Sequence, residues 1–159
     1  MGKRHKGRIL AFQALFAWDT QHSLSTQYKL STQHTLDSTD NKEQALEDLL
    51  DFSWEEKADS TGDFSRLLVT GVVENIKAVD TMIRKHLVNW DFSRLTGVDR
   101  ALLRLSVYEM LYKTAPPSVV IDEAVEISRE YGTDDSYRFI NGVLDGIKKT
   151  VQTEGEINE

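Results

Sequence analysis

The stretch 97-GVDRALLRLSVYEMLYK-113 decides the fold class. Drawn as a helix, it places Leu102, Leu105 and Tyr112 on one side and Leu103, Val107 and Leu111 on another. A helix apolar on two sides belongs in the middle of others rather than on a surface. Thr96 and Asp99 give it a capping-box-like start, and the adjacent prolines 116 and 117 stand at its end.

Outward from this centre the punctuation stays helical. Upstream, Leu68, Val72, Ile76, Val79, Ile83 and Leu87 recur at spacings of four, four, three, four and four, which predicts one amphipathic helix with Asp63 as its N-cap. Downstream, SVVIDEAVEISREYG forms a helix closing at Gly132, and a last helix opens near Asp134. The first helix is expected over about Gly7 to Asp19, where Ile9, Phe12, Leu15, Phe16 and Trp18 give a broad apolar surface. A short acidic helix around Glu43 to Lys57 carries Leu46, Leu49 and Leu50 on one side. Residues 20–41 are rich in Ser, Thr and Gln and repeat LSTQ at 24 and 30, so they are expected to form a polar loop insert. With only two prolines and almost no strand-like alternation, the predicted fold class is all-α.

The 159 residues fit a single domain spanning 1–159, of a length that buries about 70% of its unfolded surface. The absence of cysteine excludes disulfides, thiolate metal sites and cysteine nucleophiles, and suits a cytoplasmic protein. The net charge is -7, unevenly spread. Lys3, Arg4, Lys6 and Arg8 supply four of the 19 basic residues within the first eight positions, so the remainder sets 15 basic against 26 acidic residues and carries -11. A basic arm on an acidic body is either a phosphate contact or a solvated terminus. The same start imitates a signal peptide, but its apolar run is interrupted by Gln13 and meets Asp19 with no small-residue cleavage site. No segment approaches the ~20 apolar residues that a membrane helix needs, so no membrane partner is expected.

The last helix raises the functional question, at 134-DDSYRFINGVLDG-146. Ile140, Val143, Leu144, Ile147 and Val151 form its buried stripe. Asp135, Phe139, Gly142 and Gly146 form a second stripe directed away from the first, with Arg138 at its border. An aromatic ring with small neighbours, an acid and a base nearby, makes a platform for an unstacked base. The alternative, which pattern alone favours, is that Phe139 packs beneath another helix and the glycines allow close crossing.

Together FQALFAWD, VDRALLRLSVYEMLY, VVIDEAVEISREYG and RFINGVLDGI resemble, in order and spacing, the bacterial antitermination family NusB, over most of residues 4–149. The resemblance implies an all-α, seven-helix fold in two small subdomains. It also implies RNA binding to a boxA-like element together with NusE, a small-subunit ribosomal protein. The expected setting is the transcription elongation complex with RNA polymerase on ribosomal RNA operons. The RNA-contacting residues it implies are Lys3, Arg4, His5, Lys6 and Arg8, in a run thinner in arginine than the family's, together with Asp135, Arg138 and Phe139. The NusE side is implied at Phe16, where the family often has tyrosine, and at Asp99. The resemblance reverses the reading of Phe139, from core to surface.

Other chemistry finds no support in the sequence. The four histidines lack the spacing of a metal-binding helix, Asp134 and Asp135 suit a helix N-terminus, and neither a phosphate-cradling glycine pattern nor a triad spacing occurs. No enzyme activity and no cofactor is expected. Two alternatives remain. One is the NusB-like domain of an RNA cytosine methyltransferase, against which the missing cysteine and catalytic domain count; the other is a protein-only helical adaptor. A homodimer in the absence of the partner is left open.

Overall fold

A computed structural model describes residues 2–32, 46–48, 50, 60–88 and 90–157. The described residues hold seven helices and no strand: α1 (Lys3–Thr32), α2 (helical residues 46–48), α3 (Ser60–Glu74), α4 (Ile76–Lys85), α5 (Gly97–Leu111), α6 (Pro117–Tyr131) and α7 (Ser136–Ile157). A single 3-10 turn, Phe92–Arg94, lies between α4 and α5. The chain forms two compact units, Met1–Val69 and Thr70–Glu159.

In the first unit α1 buries Leu10, Ala11, Phe12, Ala14 and Leu15. It corrects the expected loop at 20–41, because the helix continues to Thr32. No glycine or proline occurs between Gly7 and Gly62, so nothing stops the helix at Asp19, and Ser and Thr cost only up to about 0.7 kcal/mol each against Ala. The Thr20 hydroxyl donates back to the Phe16 carbonyl at 3.0 Å, the usual way a helix accommodates it. Residues 33–41 lie outside the described residues, as does most of the expected acidic helix, of which Leu50 is buried.

In the second unit α5 is the predicted central helix. Every residue from Ala101 to Val107 is buried, and α5 packs on α4, α6 and α7, with α6 and α7 also packed on each other. Its start is capped as expected, with Thr96 Oγ1 accepting from the Asp99 N–H at 3.1 Å. Its end comes before the prolines: Lys113 adopts the left-handed conformation (φ 56°), and the Thr114 N–H donates to the Glu109 carbonyl at 3.2 Å, a Schellman closure.

The helix expected through Leu68 to Leu87 is broken at Asn75. The apolar period runs on across the break, but the Asn75 side-chain amide donates to the Gly71 carbonyl at 2.8 Å and its Oδ1 accepts from Tyr112 Oη at 2.7 Å. These bonds hold the residue outside the helical conformation. Asp63 sits in the first turn of α3 rather than at its cap, since the helix begins at Ser60.

Gly132 ends α6 with an extended backbone (φ -92°, ψ -173°), so conformation does not require glycine there. Space does: a Cβ would lie 2.6 Å from the Ser136 side chain and 2.7 Å from the Ser128 carbonyl. That close turn sets the first residues of α7.

Candidate nucleic-acid interface

In α7, Ile140, Val143, Leu144 and Ile147 are buried, as the period predicts. The opposite stripe answers the question posed by the sequence in two halves. Asp135 and Gly142 are exposed, and a Cβ on Gly142 would meet open space. A Cβ on Gly146, by contrast, would lie 3.2 Å from the His86 ring, so this glycine serves close packing against the end of α4. There His86 Nδ1 donates to the Met82 carbonyl at 3.0 Å, and Nε2 meets Thr150 Oγ1 at 2.9 Å.

Phe139 is half-buried, because one side of it meets Trp90 with ring centroids 5.8 Å apart and planes tilted by 53°. Trp90 itself is 59% exposed. Sequence reasoning missed this residue. It lies in the α4–α5 connection, where no periodicity exists to flag it, and its only signal is a large aromatic in a polar stretch.

Phe139, Asp135 and Trp90 line a cavity of about 280 Å³ together with Arg94 and Asp99. The structure therefore joins Asp99, expected on the protein-partner side, to Asp135 and Phe139, expected on the RNA side. Arg138 does not share this cavity. Its Nε donates to Tyr137 Oη at 2.9 Å, and it lines a separate cavity of about 500 Å³ with Arg129 and Asp122.

Asp99 is 8% exposed, and its Oδ1 is a buried oxygen without a hydrogen-bond partner among the described residues. Burial pushes its carboxyl above the ordinary value of 3.8, opposed by the Ser136 and Thr96 hydroxyls. Ser136 is itself anchored, accepting from the Thr133 N–H at 3.0 Å. The raised folded pKa fixes the sign of the pH effect. The contribution of Asp99 to stability is fully present below 3.8 and is lost as pH rises through its folded value. Lowering the pH from neutral should therefore stabilise the parent relative to Asp99→Asn. Thermal unfolding of both across that range checks it, and parallel curves would show that Asp99 titrates as an ordinary exposed carboxylate.

In the first unit the basic run forms the opening turns of α1 rather than a free arm, with Lys3, Arg4 and Lys6 exposed and His5 half-buried. Cations oppose the dipole at a helix N-terminus, and this first turn has no acid to offset them, so they are not there for helix stability. Arg8, expected among the RNA-contacting residues, is buried, at 3% exposed. Its guanidinium lies 5.6 Å from the Phe64 ring centroid, with Arg4 at 5.4 Å. The ring lies so close to Gly7 that a Cβ there would approach Phe64 to 2.6 Å, and Ser65 Oγ donates to the Gly7 carbonyl at 2.7 Å. Phe16 is 40% exposed on α1.

Comparison with known proteins decides the lineage. The sequence model of the NusB family matches residues 5–149. The chain belongs to the NusB family. The transcription antitermination protein NusB of Treponema denticola is 44% identical over 151 residues, covering 91% of this chain and 95% of that protein. NusB of Treponema pallidum (strain Nichols) is 45% identical over 152 residues, covering 92% of this chain and 93% of that protein. Among solved structures, T. maritima NusB superposes with a TM-score of 0.66 at 35% identity, over 92% of this chain and 90% of that one. A structure of antitermination factors NusB and NusE in complex with dsRNA matches with a TM-score of 0.71 at 26% identity, over 94% of this chain and 98% of that one. The all-α, seven-helix fold implied by the NusB resemblance is the fold observed. None of the described helices is long and apolar enough to cross a membrane.

Proposed function

We propose that this NusB-family chain is a cytoplasmic, RNA-binding transcription antitermination factor that holds boxA-type single-stranded RNA together with NusE. Its setting is the elongation complex of RNA polymerase on ribosomal RNA operons. The observation that carries the RNA reading is the grouping of Asp135 and the half-buried ring of Phe139 around one cavity, beside an open face at Gly142. A ring with one free side can stack on an unpaired base whatever its identity, and a carboxylate beside it accepts from base amino groups.

The exposed Lys3, Arg4 and Lys6, with His5 beside them, supply phosphate contacts that position RNA without reading it. Arg138 adds a cation near Tyr137. Phe16, exposed on α1, offers an apolar contact to NusE, and Asp99, which lines the cavity and has a buried oxygen without a hydrogen-bond partner among the described residues, offers an acceptor to a partner's donor. The relatives named as antitermination proteins are matched over 95% and 93% of their own length, which favours this reading over a methyltransferase domain.

The chain alone should bind RNA weakly, because residues outside the basic start carry -11 and repel phosphate. NusE should tighten RNA binding by about 1–3 kcal/mol, and RNA should tighten NusE binding by the same factor. Phe139→Ala should cost about 1–3 kcal/mol of RNA affinity if the ring stacks on a base. Titrations at one fixed salt concentration, with and without saturating NusE, measure both effects. A folded Phe139→Ala protein with unchanged RNA affinity would sink the stacking role. NusE binding without any RNA binding would make the chain a protein-only adaptor.

A further inference from the structure

We propose that Trp90 and Arg94, in the connection between α4 and α5, extend the RNA surface beyond α7, with Trp90 as a second base-stacking ring and Arg94 as a phosphate contact. This rests on the RNA reading of Phe139 and adds a site that neither the sequence pattern nor the α7 stripe supplied.

The first observation is exposure in the wrong place for packing. Trp90 leaves 59% of its surface in solvent although it touches Phe139. A tryptophan with only a packing role would bury most of its large apolar area. Its tilt of 53° against Phe139 gives two neighbouring rings with differently directed faces, enough for two successive unstacked bases rather than one. The cavity they line, about 280 Å³, falls just below the usual range for drug-sized ligands and suits a group the size of a single base.

The second observation is charge. The short turn Phe92–Arg94 is ringed by arginines, with guanidinium centres of Arg84, Arg104 and Arg100 at 4.5, 5.4 and 5.9 Å from the Phe92 ring. Arg104 is committed to Asp80 in a buried two-bond pair, whereas Arg84 and Arg94 are exposed. These two exposed cations stand on the end of α4 and on the connection that follows it. Ser93's backbone and hydroxyl donors first, and then the charges of Arg94 and Arg84, hold Asp91 below the ordinary carboxylate range. On a chain of net charge -7, the exposed Arg84 and Arg94, together with the exposed Trp90 ring and the half-buried Phe139 ring, complement a polyanion that carries bases, which is single-stranded RNA. Asp99 and Asp135 line the same cavity as Arg94, so base amino groups and a phosphate can each meet a group of opposite charge there.

The test is a titration of the full chain with a boxA-type single-stranded RNA at several salt concentrations. Trp90→Ala should weaken binding by about tenfold, and Trp90→Phe, which keeps a ring, should retain most of the affinity. Arg94→Ala should flatten the slope of log affinity against log salt by about 0.7, the share of one phosphate contact on a single strand. In the unmutated chain, tryptophan emission should change on RNA addition, and that change should vanish in Trp90→Phe. This readout does not depend on the alanine variant folding. Phe139→Ala is measured in parallel. If it weakens binding while Trp90→Ala and Arg94→Ala bind as the parent does and the emission change persists in Trp90→Phe, the extension is overturned and the RNA reading stands. If no variant changes affinity, the RNA reading itself falls. A Trp90→Ala protein that loses NusE but keeps RNA would make this face a protein contact and likewise overturn the proposal.

Discussion

Asp80→Ala is expected to cost about 3–5 kcal/mol of folding stability, because it strands the buried Arg104 guanidinium without its partner. The pair is bidentate, with Arg104 Nε and Nη2 donating to Asp80 Oδ1 and Oδ2 at 2.9 and 3.0 Å, and both residues are buried. In that setting the loss is dominated by the uncompensated charge rather than by the attraction removed. Chemical denaturation with an unchanged m-value would measure it. The double variant Asp80→Leu with Arg104→Met should recover most of the loss, since apolar residues of similar size remove both desolvation costs together. A single variant that unfolds like the parent would show that water reaches the pair. The pair also matters to the surface above it. Arg104 lies under the Phe92 ring at 5.4 Å, so the double variant should be stable yet hold the Phe92–Arg94 turn less firmly. Weaker RNA binding at near-parent stability is the signature of that link.

The parts of this molecule legible in its sequence are those set by periodicity. The stripe of Ile140, Val143, Leu144 and Ile147 and the two apolar sides of α5 follow directly from 3.6-residue spacing. The Thr96 cap is legible because it is a bond between neighbours. What periodicity cannot show is a break that leaves the apolar pattern intact, as at Asn75, where the deciding bond comes from Tyr112, distant in sequence. Composition misled at residues 20–32, where polarity suggested a loop although no residue there stops a helix. At the candidate interface, spacing alone favoured Phe139 packed beneath another helix, and the family resemblance reversed that reading toward the surface. The structure shows why both readings had a basis: one side of the ring packs on Trp90, and Gly146 packs on His86 while Gly142 packs on nothing. Trp90, Arg94 and the cavity that joins Asp99 to Asp135 arise only from tertiary contact.

Gly71→Val should destabilise the second unit by about 3 kcal/mol, the upper end of the usual overpacking range. Any Cβ at this position would run into the Tyr108 ring and hydroxyl, and a β-branched side chain cannot turn aside within a helix. Helix propensity pulls the other way, because Val outside this contact is slightly better than Gly, so a neutral result would mean that the ring moves freely. It has little room to do so. Tyr108 stacks on Tyr112 with centroids 4.8 Å apart, and Tyr112 Oη donates to Asn75 at the α3–α4 break. Displacing the first ring therefore disturbs the second and the bond that holds the break. Coupling is the decisive measurement. Tyr108→Ala alone should be destabilising, but in the Gly71→Val background it should cost far less, because the space it vacates relieves the clash. Strict additivity of the two changes, measured by thermal unfolding, would show that Gly71 is required for some reason other than the close approach of Tyr108.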